Sequence, residues 1–279
     1  MSQAIVTQEL RANLQKGFVY NAHGQMVEPQ PFPKGDNMWR EFFRIDIESL
    51  PYWFYTNENN ENLFIIVRKE TNSKKSKTRK SKKYLTYSYG SGRYHKELLW
   101  KNLPDWKRPL YRLGKLVETD LDILVVEGEP TAVKAQALFN DKFVTTFMGG
   151  KANYEKTDWS PLRNKKVTLF SDVDYDGKGY RSFEDLAAFL KSDYGIEAKL
   201  VPFSRDHESY NEIQELSKGE FQKNAWDLAD TIYPGIDIHE LVASAVIPEP
   251  RAEEEIPYSN IEEHINDFVF LSDSGTKYW

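Results

Sequence analysis

The sequence predicts an α/β chain in which a mainly parallel sheet, with helices on both faces, follows a smaller basic α+β domain. Two observations carry that prediction. From about Leu121 onward, short apolar runs alternate with helical periods, the pattern of strands joined by crossover helices. Before about residue 105 the chain is instead rich in aromatics, with short strand-like runs broken by turn signals.

Taken in order, "NAHGQM" and "TNENNENL" read as turns, and "LFIIVRKE" and "KKYLTYSYG" as strands flanking a basic stretch. "DILVV" is a buried-strand run ending at Glu127, and "PTAVKAQALF" a helix with Pro130 in its first turn, where the missing N–H costs nothing. "KFVTTF" and "KKVTLF" are two more strands, the second ending at Asp172. In "SFEDLAAFLKSDYG", Phe183, Leu186, Ala187 and Leu190 form one helical stripe that Gly195 closes, and "EAKLVPF" supplies a fourth strand. The expected domains are 1–110, basic and nucleic-acid-binding, then 111–245, catalytic, then 246–279, an acidic linker and the start of a further domain. The last expectation rests on "NDFVFLSDSGTKYW", which reads as the first hairpin of a new domain.

Composition excludes several classes. With 279 residues, 40% hydrophobic and 14% aromatic, a packed core is affordable and global disorder is not expected. There is no apolar run near membrane-spanning length and no basic-then-apolar leader, so the reading is a cytoplasmic protein without a membrane partner. Zero cysteines exclude disulfides and cysteine-ligated zinc within the chain. The five histidines, at 23, 95, 207, 239 and 264, show no metal-ligand spacing.

The formal net charge of −6 is unevenly distributed. Residues 249–279 hold eight acids against Arg251 and Lys277, which accounts for all of it. Phe64 to Lys83 holds nine cations (Arg68, Lys69, Lys74, Lys75, Lys77, Arg79, Lys80, Lys82, Lys83) against Glu70 alone. Interleaved with Tyr84, Tyr87, Tyr89, Tyr94 and Trp100, these cations suit a phosphate backbone whose bases stack on the rings. A solvated hairpin tip is the alternative.

The acids mark the chemistry. Sites in open parallel sheets form at the carboxyl ends of strands. Glu127 follows one strand there, and Asp172 and Asp174 follow another, with Asp176 two residues on. An Asp-rich loop with glycine is by itself an ordinary turn, but acids at two strand ends invite a hard cation. Mg²⁺ or Mn²⁺ would take one or two carboxylates, phosphate oxygens and waters, and could serve phosphoryl or nucleotidyl transfer. Gly128, Gly149, Gly150, Gly177 and Gly179 leave bare backbone for phosphate, and Lys151, Lys178 and Arg181 are placed to contact a triphosphate.

"ILVVEGEPTA", "FVTTFMGGKANYEKTDWSPLRNKKVTLFSDVDYDGKG" and "AWDLAD", in that order over roughly Tyr111 to Asp230, resemble the Toprim domain of phage- and mobile-element-encoded primases and primase-helicases. The resemblance implies a Toprim fold, with Glu127, Asp172 and Asp174 as catalytic acids. It also implies a DNA primase that makes short primers from NTPs on single-stranded DNA, in a bacterial or virus-infected cytoplasm, with a helicase domain or subunit as neighbour. Some members carry an acid where this chain has Thr131, and related replicative primases carry an amino-terminal zinc module that zero cysteines preclude here. Asp227 and Asp230 stand as supports of the metal site or as helix caps. The rival readings are a Toprim nuclease and a non-catalytic nucleic-acid-binding replication module. A topoisomerase is disfavoured for want of a tyrosine context and a strand-gate domain.

Overall fold

The computed structural model describes residues 30–33, 50–72, 80–90, 93–95, 106–174, 176–203, 211, 213, 215, 226–230, 232 and 235–249. The chain divides into two compact units, 1–248 and 249–279, and the secondary structure described here lies in the first. No helix among the described residues is long and apolar enough to cross a membrane.

An antiparallel sheet comes first, in the order β1 (Tyr52–Thr56), β2 (Asn62–Asn72), β3 (Lys80–Gly90), β4 (Arg93–His95). Its β-branched and aromatic residues favour a pleated surface. Asn57 shapes the turn from β1 to β2, its side-chain oxygen accepting from the N–H groups of Asn59 and Glu61. The long hairpin β2–β3 pairs Phe64 with Ser88 at one end and Asn72 with Lys80 at the other. Its basic tip, 73–79, lies outside the described residues, as do "NAHGQM" and the final hairpin reading.

The second sheet has the order β6–β5–β7–β8 and is parallel throughout. Its strands are β5 (Asp122–Val126), β6 (Lys142–Thr145), β7 (Val167–Phe170) and β8 (Ala198–Leu200). Among the described residues, it is covered by α1 (Leu113–Glu118), α2 (Glu129–Leu138), α3 (Lys178–Tyr194) and α4 (Ile238–Ala243). The expected fold class is therefore found, and α1 is an element the sequence did not announce.

The continuous apolar run of β5 is explained by burial on both faces. Leu124 and Val126 join one core with Ala132 and Ala135 of α2 and Leu241 and Val242 of α4. Ile123 and Val125 join the other core with Leu116 of α1 and the α3 stripe Phe183, Leu186, Ala187 and Leu190. Gly195 caps α3 at φ 68°, the left-handed conformation that a side chain would disfavour.

The antiparallel sheet shares the first of these cores through Trp53, Tyr55, Phe64 and Ile66, while Ile65, Val67, Tyr87 and Phe32 pack on its opposite face. Tyr55 is fully buried, stacks on Phe64 at 4.6 Å, and donates its hydroxyl to Glu129 Oε1 at 2.8 Å. Glu129 is the first residue of α2, so this buried bond ties the antiparallel sheet to the carboxyl-end edge of the parallel one. Burial pushes the Glu129 carboxyl and the Tyr55 phenol both above their ordinary values. Replacing Tyr55 by Phe keeps the packing and removes the donor. The expected cost is about 1–3 kcal/mol of unfolding free energy. A lowered urea midpoint at unchanged slope checks it, and an unchanged midpoint would mean the bond adds nothing net.

Candidate active site

From β5 the chain crosses to β6 on one side, and from β7 it crosses to β8 on the other. Strands β5 and β7 are neighbours, with Val126 opposite Phe170. Their outgoing loops therefore diverge and open a crevice at the carboxyl ends, the place where open α/β sheets bind ligands. Glu127 leaves β5 there, and Asp172 stands two residues beyond the end of β7.

Those two acids line one cleft of about 640 Å³, within the ~300–1,000 Å³ range of small-molecule sites. Gly128, Gly149 and Gly150 line it too. Gly128 N donates to Thr146 Oγ1 at 2.9 Å, holding the Glu127 turn to the end of β6. At Gly150 the backbone runs so close that an added Cβ would lie 3.2 Å from Glu127 Oε1.

The opposite wall is the hairpin. Strand residues alternate faces, so Arg68, Lys82, Tyr84 and Thr86 face the cleft with Ile66. Lys69 and Lys83 are directly opposed to each other and belong to the other face. Tyr87 and Tyr89 also belong there and pack with Phe32. Among the described rings that sequence offered for base stacking, Tyr84 alone reaches the cleft. Lys74, Lys75, Lys77 and Arg79 lie outside the described residues, as do Trp100 and the side chains of Lys80, Tyr94 and Lys151.

The Asp loop is divided among three tasks. Asp172 lines the cleft. Asp174 Oδ2 accepts from Gly179 N at 2.8 Å, filling one of the first-turn N–H groups of α3. Asp176 holds Lys178: its carboxylate accepts from the Lys178 backbone N–H at 3.2 Å and pairs with the Lys178 ammonium, which keeps its pKa below the ordinary carboxylate value. Arg181 Nη2 donates to the Asp176 carbonyl at 2.6 Å. Asp174, Asp176, Gly177, Lys178 and Arg181 thus sit on the start of α3 and do not line the cleft. Gly179 permits this turn, because a Cβ there would overlap the Asp172 carbonyl oxygen.

Residues outside the acidic motifs complete the cleft. Val173 pairs through both backbone bonds with Trp226, which brings Asp227 and Asp230 to the wall. Thr131 is buried and donates to Asp227 Oδ2 at 3.1 Å, while Ala229 N donates to Oδ1 at 2.5 Å. Lys134 Nζ donates to Ala229 O at 2.8 Å. The "EGE" triplet carries two different acids: Glu127 at the cleft and Glu129 on Tyr55. Sequence gave no sign of the second role, because its partner lies 74 positions away.

The donors suit a hard cation. Glu127 and Asp172 are carboxylates on one cleft, and Glu127 Oε2 and Asp174 Oδ1 are shielded from solvent. That matches Mg²⁺ or Mn²⁺ held by one or two carboxylates and its own waters, not an all-protein cage. Among the described residues no group of three Asp, Glu, His or Cys side chains is placed to hold a metal.

No protein-family model matches the sequence, and no curated protein matches it. Solved structures that resemble it include primase cores. The zinc-binding and RNA polymerase domains of Aquifex aeolicus primase align with 94% of this chain at 14% identity and a TM-score of 0.36. A DNA primase domain from Pseudomonas aeruginosa aligns with 78% of it, and with 70% of that domain, at 14% identity and 0.35. A DnaG primase catalytic domain bound to single-stranded DNA aligns with 81%, and with 74% of that domain, at 16% identity and 0.34. The chain spans 62% of the Aquifex protein's length. At these values the likeness is one of general chain path, and nothing about chemistry follows from it.

Two substitutions test the geometry. Thr131→Val removes a donor to the half-buried Asp227 carboxylate and is expected to cost about 1–3 kcal/mol. Burial raises the Asp227 pKa, and the Thr131 bond partly offsets that. The folded chain therefore holds the Asp227 proton to higher pH than the unfolded chain. Its contribution to stability is complete below the unfolded value and is lost as pH rises through the folded one. In Thr131→Val that loss should move to higher pH, which carboxyl NMR titration and melting curves would register. Gly179→Ala, meanwhile, must displace the Asp172 backbone and should weaken magnesium-dependent stabilisation beyond its effect on melting temperature. An Ala variant with the parent's magnesium response would refute the close approach.

Proposed function

We propose that this chain is a Toprim primase-type nucleotidyltransferase that makes short primers from NTPs on single-stranded DNA, with Mg²⁺ or Mn²⁺. One observation carries the reading: a single cleft sets Glu127 and Asp172, from adjacent strand ends, against Arg68, Lys82 and Tyr84 of the hairpin. Phosphoryl chemistry needs acids for a cation on one side and cations or rings for a nucleotide on the other. A solvated acidic turn needs neither. The order of the acidic, Gly-Gly and "WDLAD" pieces along the chain supports the same reading.

Glu127 and Asp172 would hold the divalent ion, which when bound polarises a phosphate and favours attack by an oxygen; Asp174, whose Oδ2 already accepts from Gly179 N outside the cleft lining, would join them only by its other oxygen. The chain's own residues do the rest. Gly149 and Gly150 leave bare backbone beside Glu127, so a phosphate can approach the acid without meeting a side chain. Arg68 and Lys82 supply positive charge across the cleft, and the further lysines and Arg79 in the sequence between β2 and β3 are proposed to add charge for a template strand. Thr131 and Tyr55 fix Asp227 and Glu129, keeping the acidic wall in place as charge moves through the cleft. Residues 1–110 bind the template and 111–245 catalyse in this scheme, and a helicase domain or subunit is the proposed neighbour.

The test is incubation with single-stranded DNA, NTPs and Mg²⁺ or Mn²⁺. New short oligomers are expected from the parent, and none from Glu127→Gln or Asp172→Asn, both of which should fold. Divalent metal should raise the melting temperature of the parent more than that of either variant. A shortened template would indicate a nuclease instead, and full synthesis by either variant would overturn the assignment of the acids.

A further inference from the structure

We infer that Tyr84 is the base platform of a mononucleotide site in this cleft, with Arg68 and Lys82 beside it for the phosphates. The inference rests on the proposed function for its ligand class, a nucleoside triphosphate, and adds where the base sits. Tyr84 is 48% exposed although it belongs to a sheet whose other described tyrosines are more buried. Its cross-strand partner is Arg68, and Lys82 precedes it on the same face.

The ring thus lies between two cations, opposite the wall bearing Glu127 and Asp172; Arg68 also pairs at 3.3 Å with Glu70, which stands across from Lys82. An aromatic face flanked by fixed positive charge matches a base joined to a polyphosphate, and it does not match a bare anion, for which the ring would be idle. The cleft's volume fits a small ligand better than an extended strand. Stacking tolerates every base, so the site would discriminate little among the four nucleotides. Neighbouring tyrosines cannot take over this role, since Tyr87 and Tyr89 face the other side of the hairpin.

Two probes separate the ring from the charges: ATP, and inorganic tripolyphosphate, which has the phosphates and no base. Both are titrated by calorimetry in one magnesium buffer, without template. Tyr84→Leu should weaken ATP binding about 5- to 150-fold, the range for loss of one base–aromatic stack, and leave tripolyphosphate binding as in the parent. Tyr84→Trp should retain ATP. Unchanged ATP affinity in Tyr84→Leu, or an equal loss for both probes, would overturn the inference. Neither result touches the assignment of Glu127 and Asp172, which stands or falls on synthesis by their own variants.

Discussion

The parallel pairing of β5 with β7 is the constraint on which the rest depends. It sets Val126 opposite Phe170, so the first residues beyond each strand emerge side by side. With β6 and β8 on the outer flanks, the two connections must part, and the gap they leave is where Glu127 and Asp172 meet. A pairing of β5 with β8 would have kept every strand and lost the site. The burial of β5 on both faces enforces the arrangement, because Leu124 and Val126 serve one core while Ile123 and Val125 serve the other.

A crevice at a sheet edge is open on one side until something walls it. Here the wall is the β2–β3 hairpin, held by apolar packing of Trp53, Phe64 and Ile66 and by the bond from Tyr55 to Glu129. The bond lands one residue inside α2, two beyond Glu127, so hairpin and acid are positioned by the same turn. Alternation then sorts the hairpin's cations. Arg68 and Lys82 face the acids, and Lys69 and Lys83 oppose each other on the far face, a like-charge pairing that a polyanion would relieve.

The parallel strands and the α3 stripe were legible because they depend on local apolar period alone, which Phe183, Leu186, Ala187 and Leu190 display without reference to anything distant. Glu127 and Asp172 were legible because a strand end is a sequence feature. Tyr55–Glu129 and Thr131–Asp227 were not, since each joins segments far apart in the chain and neither residue type signals its partner. The contacts of Lys178 and Arg181 with Asp176 were not legible for a related reason. Proximity to glycines in sequence put them near phosphate, whereas Asp176 lies closer and holds both.

The three aspartates of the loop show why crowded like charges can persist. Had all three faced one point without a cation, their repulsion would have been a pure cost. The fold distributes it. Asp174 is spent on the first turn of α3, where the helix end favours negative charge, and Asp176 is neutralised by Lys178. Asp172 remains at the cleft beside Glu127, with Asp227 and Asp230 on the same wall and Arg68, Lys82 and Lys134 around them. Several carboxylates then line one cleft, with Asp227 held by Thr131 and Ala229 N, and their mutual repulsion is what a divalent cation and a phosphate chain would relieve.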